Sequence, residues 1–166
     1  MESTDVPKNE LHRVDKPEKS RNLPSVTTVH WSNGKRSAMS QMRNGFDTAL
    51  AASFLSNAPR QSLRLGAALF AGARLLSVGC NLYGRSHPAS NNGKEFVRST
   101  HAEHQCLLRR QWNPIGNLTL FVARRLASGT LGCSRPCANC MALARLAGVR
   151  RVFFYNHEGK PEEVLL

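Results

Sequence analysis

Two short stretches carry residue types that could do chemistry: His101-Ala102-Glu103, and Pro136-Cys137-Ala138-Asn139-Cys140. One histidine nitrogen and two cysteine sulfurs suit a tetrahedral Zn2+, and three protein ligands leave a fourth position for water, as catalytic zinc requires. His101, Cys137 and Cys140 are therefore the candidate metal ligands. Zinc lowers the pKa of its water towards neutrality, and Glu103, two residues past the histidine, is placed to move the proton.

Other assignments of the same residues stay open. A single C-x-x-C also fits a redox pair or half of a zinc ribbon. Cys133 or His157 could complete a four-ligand structural site, although that would leave Glu103 without a role. His104 is expected to pack, and His87 and Arg85 to lie on a loop. Arg124 and Arg125 follow a predicted strand at its site end, where phosphate contacts are common; Arg124 is the candidate substrate contact.

These residues need elements to hold them. Phe46, Ala49, Leu50 and Phe54 recur at helical spacing, which predicts a helix from Phe46 to Ser56. Two apolar runs around Gly72 predict a hairpin with strands near 64–70 and 74–80, and Gly66 and Gly72 favour strands over helix there. A long polar loop, 82–98, follows Asn81. Thr100 is the expected N-cap of a helix carrying Ala102 and Cys106 on one face. A strand is expected at 118–123. A helix is expected from Cys137 to Ala147, with Pro136 in its first turn and Gly148 closing it. Another strand is expected at 149–155, and the last residues, EEVLL, fit strand or helix equally. Both ligand stretches thus fall at helix starts, where negative thiolate is stabilised.

A chain of 166 residues predicts one domain with an appendage. Residues 1–44 are rich in Lys, Glu, Ser, Asn and Pro and lack apolar periodicity, which predicts a flexible basic tail ahead of a domain at 45–166. With Glu2, Asp5 and Glu10 and no apolar stretch, the first residues are not expected to be a signal peptide or presequence. The longest apolar run, 65–73, is too short to span a membrane. If two of the five cysteines bind metal, three remain, which argues against a disulfide framework and for a reducing, cytoplasmic setting. Residues 1–45 hold eight Lys/Arg against five Asp/Glu, and the remainder fifteen against six. A basic domain of this kind fits an anionic partner, either a nucleotide's phosphate or a polynucleotide backbone, or simply a solubilising surface.

The stretch from about Leu65 to Tyr155, with its H-x-E and P-C-x-x-C motifs, resembles the cytidine/deoxycytidylate deaminase superfamily. The GRSHP loop and Ala123-Arg124-Arg125 add a similarity to small phage-encoded members. The resemblance implies an α/β fold of three layers, α/β/α, with a mixed sheet of about five strands. It implies His101, Cys137 and Cys140 as zinc ligands and Glu103 as the catalytic proton shuttle. Asn81 matches an asparagine that holds the sugar or base, with a structural turn as its competing role, and the Ala102 N–H matches a contact to the base carbonyl. Two departures concern substrate class: Cys133 stands where many relatives have threonine, and Ala138-Asn139 matches no common pair between the cysteines. The implied activity is hydrolytic deamination of a cytosine-type base on a nucleotide or nucleoside such as dCMP, giving uracil and ammonia. Single-stranded DNA or RNA is the competing substrate class, though aromatic residues at 7% are sparse for base stacking. A zinc-stabilised binding module without catalysis is the third reading. Relatives commonly assemble as homo-oligomers.

Overall fold

The computed structural model of the chain describes residues 26–27, 36–60, 64–84, 99–109 and 117–166. In chain order its elements are β1 (Val26–Thr27), α1 (Arg36–Ser53), β2 (Leu65–Ala71), β3 (Arg74–Cys80), β4 (Leu82–Tyr83), β5 (Ser99–Thr100), α2 (Ala102–Leu108), β6 (Leu118–Arg124), α3 (Ala138–Leu146), β7 (Val149–Tyr155) and β8 (Pro161–Leu165). One sheet has the order β1-β8-β7-β6-β2-β3, and β4 pairs with β5 beside it. Only β6 and β7 run parallel; the other neighbours are antiparallel, so the sheet is mixed. A parallel pair needs a crossover, and α3 supplies it.

The strands are covered on both sides, which is why β2 and β6 read as unbroken apolar runs. Successive side chains alternate between faces. Ala67, Leu69, Leu120, Val122, Val152 and Phe154 pack with Ala102, Cys106 and Leu107 of α2 and Ala144 of α3. Ala68, Phe70, Phe121, Ala123 and Phe153 pack on the opposite side with Phe46 and Ala49 of α1. The result is the expected α/β/α sandwich. Five strands of five to seven residues make the sheet, and the two-residue β1 adds a sixth at its edge.

Two glycines set how closely the helices approach. A Cβ on Gly66 would meet the Ala49 carbonyl and the Ser53 N of α1, and one on Gly79 would meet the Ala102 carbonyl and the Cys106 N of α2. Both strands of the hairpin therefore lie against helix backbone, on opposite faces of the sheet.

Several element bounds differ from the sequence expectation. α1 starts at Arg36, so part of the stretch assigned to the tail is helical. Ser37, Ser40, Gln41 and Asn44 hide its apolar spacing, and Met42 and Phe46 provide the packing. The helix also stops at Ser53, before Ser56. Thr100 is not the N-cap of α2, because it pairs with Leu82 in β5 and His101 takes the cap position. Pro136 precedes α3, whose N-cap is Cys137. EEVLL contributes to a strand, β8, because β7 offers it an antiparallel edge. Most of the 82–98 loop, including Arg85 and His87, lies outside the described residues, as do 1–25 and 28–35 of the tail. Among the described residues, no helix is long and apolar enough to cross a membrane.

Candidate metal centre and active site

His101 and Cys137 occupy matching positions. Each is the N-cap of its helix, with extended backbone at φ −71°, ψ 152° and φ −71°, ψ 166°, and neither side chain caps its own helix. Both side chains are thus left to point at each other rather than at their own backbone. The starts of α2 and α3 are held in place from below. Gln105 Oε1 accepts the Cys80 N–H at 2.7 Å, and Ser77 Oγ donates to the Cys106 carbonyl at 2.8 Å, fixing α2 to β3. Ser134, fully buried, donates from Oγ to the Val122 carbonyl at 2.7 Å and accepts the Tyr155 N–H at 3.0 Å. Its own N–H donates to the Tyr155 carbonyl at 2.9 Å. That serine pins the 133–137 segment to the C-terminal ends of the parallel strands, where open α/β sheets bind ligands.

Three donor atoms converge as a result. His101 Nδ1 lies 3.3 Å from Cys140 Sγ and 3.7 Å from Cys137 Sγ, and the two sulfurs are 3.5 Å apart. A tetrahedral zinc at about 2.3 Å from sulfur and about 2.0–2.1 Å from nitrogen would set its donors roughly 3.5–3.8 Å apart. The triangle therefore fits such an ion with little movement. Neither Cys133 nor His157 joins this group among the described residues, so the four-ligand structural alternative lacks its fourth ligand there.

The electrostatics match the geometry. Hydrogen bonds with Cys140 and His101 pull the Cys137 thiol down to about 3, which favours its thiolate. The contact with Cys137, together with burial, pushes the Cys140 thiol upward. The hydrogen bond with Cys137 raises the His101 imidazole. Glu103 is only 3% exposed, and burial pushes its carboxyl up, while His101 and Cys140 oppose part of that rise. A carboxyl held where it can both keep and release a proton suits acid–base work.

A cavity of about 210 Å³ opens over this group, lined by Asn81, Tyr83, His101, Glu103, Arg135 and Cys137 among others. Ala102, predicted as a backbone contact, also lines it. Asn81 lies at its wall and serves the fold at the same time. Its Oδ1 accepts the Leu65 N–H at 2.8 Å, and its carbonyl accepts Ser56 Oγ at 2.7 Å. Arg124, at the end of β6, is not among the lining residues. Arg125 donates to the Gly129 carbonyl at 2.7 Å and closes the turn after β6. His104 is buried, its ring 6.1 Å from that of His101. A larger cavity of about 450 Å³, between Gln41, Phe121 and Arg151, contains none of the candidate site residues.

Sequence reasoning missed Arg135 and Tyr83 at the cavity wall and Ser134 beneath it. Arg135 had a signal, standing two residues before a candidate ligand. Tyr83 had none, since it reaches the site only because Asn57 grips its backbone through both amide atoms, at 2.6 and 2.9 Å.

A three-layer α/β/α fold with a His/Cys/Cys group that could hold a metal at two helix starts is the cytidine deaminase fold. No protein-family model matches the sequence, and no curated protein is similar enough to match it. The likeness is to solved structures. Cytidine deaminase from Burkholderia pseudomallei superposes with a TM-score of 0.51 at 18% identity, over 74% of this chain and 91% of that one. The dCMP deaminase of cyanophage S-TIM5 is similar in its apo form at a TM-score of 0.49 and 22% identity, over 69% of this chain and 82% of that one. In complex with dCMP and dUMP, that enzyme gives a TM-score of 0.48 at 20% identity, over 76% and 85%.

Proposed function

We propose that the chain is a zinc-dependent hydrolase that removes the amine from a cytosine-type base carried on a nucleotide or nucleoside such as dCMP. The observation that carries this reading is the buried Glu103 carboxyl beside the His101–Cys137–Cys140 triangle, at the floor of an open cavity. His101, Cys137 and Cys140 would hold the metal, and zinc, when bound, supplies activation of a water for attack on the ring carbon that bears the amine. Glu103 would carry one proton of the attacking water to the adjacent ring nitrogen, then carry the second, from the added hydroxyl, to the departing amine as the new carbonyl forms. Water adds, ammonia leaves, and cytosine becomes uracil. The Ala102 N–H and Asn81 would hold the base carbonyl and the sugar.

The test is incubation of the zinc-loaded chain with dCMP, CMP, cytidine and deoxycytidine, read as a one-dalton mass gain. Uracil product that vanishes in Glu103→Ala supports the proposal. No product from any of the four, with zinc bound, would overturn it. A cytosine-containing single-stranded oligonucleotide belongs in the panel because of the net charge of +12. If the oligonucleotide alone reacts, the substrate class is the polynucleotide.

A further inference from the structure

We propose that Arg135 selects a phosphorylated substrate, its guanidinium taking the 5′-phosphate of a nucleoside monophosphate whose base stands over Glu103. The proposal rests on reading the site as a base deaminase and names its substrate class. Arg135 is the only lysine or arginine among the described residues lining the cavity above Glu103. The ion pairs among the described residues are Arg43–Asp47, Arg151–Glu163 and Glu158–Lys160, and Arg135 is in none of them. Its guanidinium sits 5.6 Å from the centroid of the Phe154 ring. Such a contact orients the planar group through its face and leaves its five N–H donors at the edge for a ligand.

The backbone beneath it is fixed on both sides. Ser134 is tied to Val122 and Tyr155 by three hydrogen bonds, and Pro136 restricts the residue before it to extended conformations. The side chain therefore leaves from a set point two residues before the Cys137 ligand position. Two other arginines lie outside this cavity and are engaged elsewhere: Arg125 bonds the Gly129 carbonyl, and Arg151 pairs with Glu163. A cation on a fixed backbone, at the wall of a cavity whose floor handles a base, matches the anion that a nucleotide carries. Arginine binds phosphate through charge-assisted, often bidentate, hydrogen bonds.

The experiment compares kcat/KM for dCMP and deoxycytidine in the zinc-loaded full chain and in Arg135→Ala and Arg135→Lys. The ratio of monophosphate to nucleoside should fall roughly tenfold to a hundredfold in Arg135→Ala, mainly through KM, and recover in part in Arg135→Lys. An unchanged ratio would overturn the proposal, because lost packing on Phe154 would slow both substrates alike. Turnover of an oligonucleotide with none of dCMP would also overturn it. If no base is deaminated at all, the deaminase reading fails, and calorimetry then decides the phosphate contact separately. Binding of dCMP stronger than deoxycytidine, with the difference lost in Arg135→Ala, supports it; equal binding refutes it.

Discussion

His101 Nδ1 lies 3.3 Å from Cys140 Sγ, although 39 residues separate them in the chain. The contact joins the start of α2 to the first turn of α3, so a metal held there ties together two helices with separate supports. Metal that binds only the folded chain stabilises it, by about 3–4 kcal/mol at one hundred to one thousand times its Kd. We expect one zinc per chain by elemental mass spectrometry, a lower Tm after chelation, and loss of zinc in Cys140→Ser. The affinity should fall as pH falls, because Cys140 must give up its proton and the raised His101 imidazole must be neutral to bind. A pH-independent zinc affinity would exclude these ligands.

Glu103 can be separated from the metal. Glu103→Gln keeps the shape of the side chain and removes the proton carrier, so kcat should drop on the order of 10²–10⁴-fold with zinc content unchanged. Burial already disfavours the ionised carboxyl, so the neutral amide should leave Tm unchanged or higher. Activity that survives this change, with zinc bound, would move the proton transfer to another group.

Most of this site was legible because the ligands sit at helix starts, and capping, turn and apolar-period signals mark helix starts locally. The ligand stretches and the strands β2, β3, β6 and β7 could be placed to within a residue or two. What escaped depended on partners distant in sequence. The first turns of α1 have a polar composition and are helical because Met42 and Phe46 find the sheet. Thr100 resembles a cap by type, but its backbone is already used by Leu82. Ser134 is an ordinary loop serine until Val122 and Tyr155 are brought to it by the parallel pairing.

Asn81 has a structural role whose size can be measured apart from any substrate role. Asn81→Ala leaves the Leu65 N–H without its 2.8 Å acceptor, a loss of about 1–3 kcal/mol in denaturant unfolding. Asn81→Asp keeps the acceptor oxygen and should retain most of that stability. If the carboxamide also holds the sugar, Asn81→Asp should raise KM while Tm stays close to wild type. An unchanged KM would confine Asn81 to the fold.

Gly79 should couple packing to the metal. Added Cβ density there meets backbone, with the Cys106 N at 2.5 Å, and backbone cannot rotate away. Gly79→Ala must push α2 off β3, with a loss of roughly 1–3 kcal/mol typical of overpacking. Since α2 carries His101 at its start, zinc occupancy should fall along with Tm. Destabilisation with full zinc occupancy would show that the start of α2 is held by the metal rather than by the strand.

Alkaline pH should weaken the fold through Cys106. Its thiol is fully buried on the inner face of α2, 3.3 Å from Ser77 Oγ, and burial pushes it up to about 12. An unfolded cysteine ionises near 8.5. The folded state therefore keeps a proton that the unfolded state has lost, and the unfolded state gains stability as pH rises between those values. The contribution is complete below about pH 8.5 and declines by about 1.4 kcal/mol per pH unit above it, towards pH 12. Urea unfolding between pH 8 and 11 should show this slope, and Cys106→Ala should flatten it while costing some packing stability at pH 8. Cys80, also raised by burial, adds in the same direction, so a residual slope in Cys106→Ala should diminish further in the Cys80→Ala, Cys106→Ala double variant. A slope that neither substitution alters would assign the alkaline loss to groups other than the buried thiols.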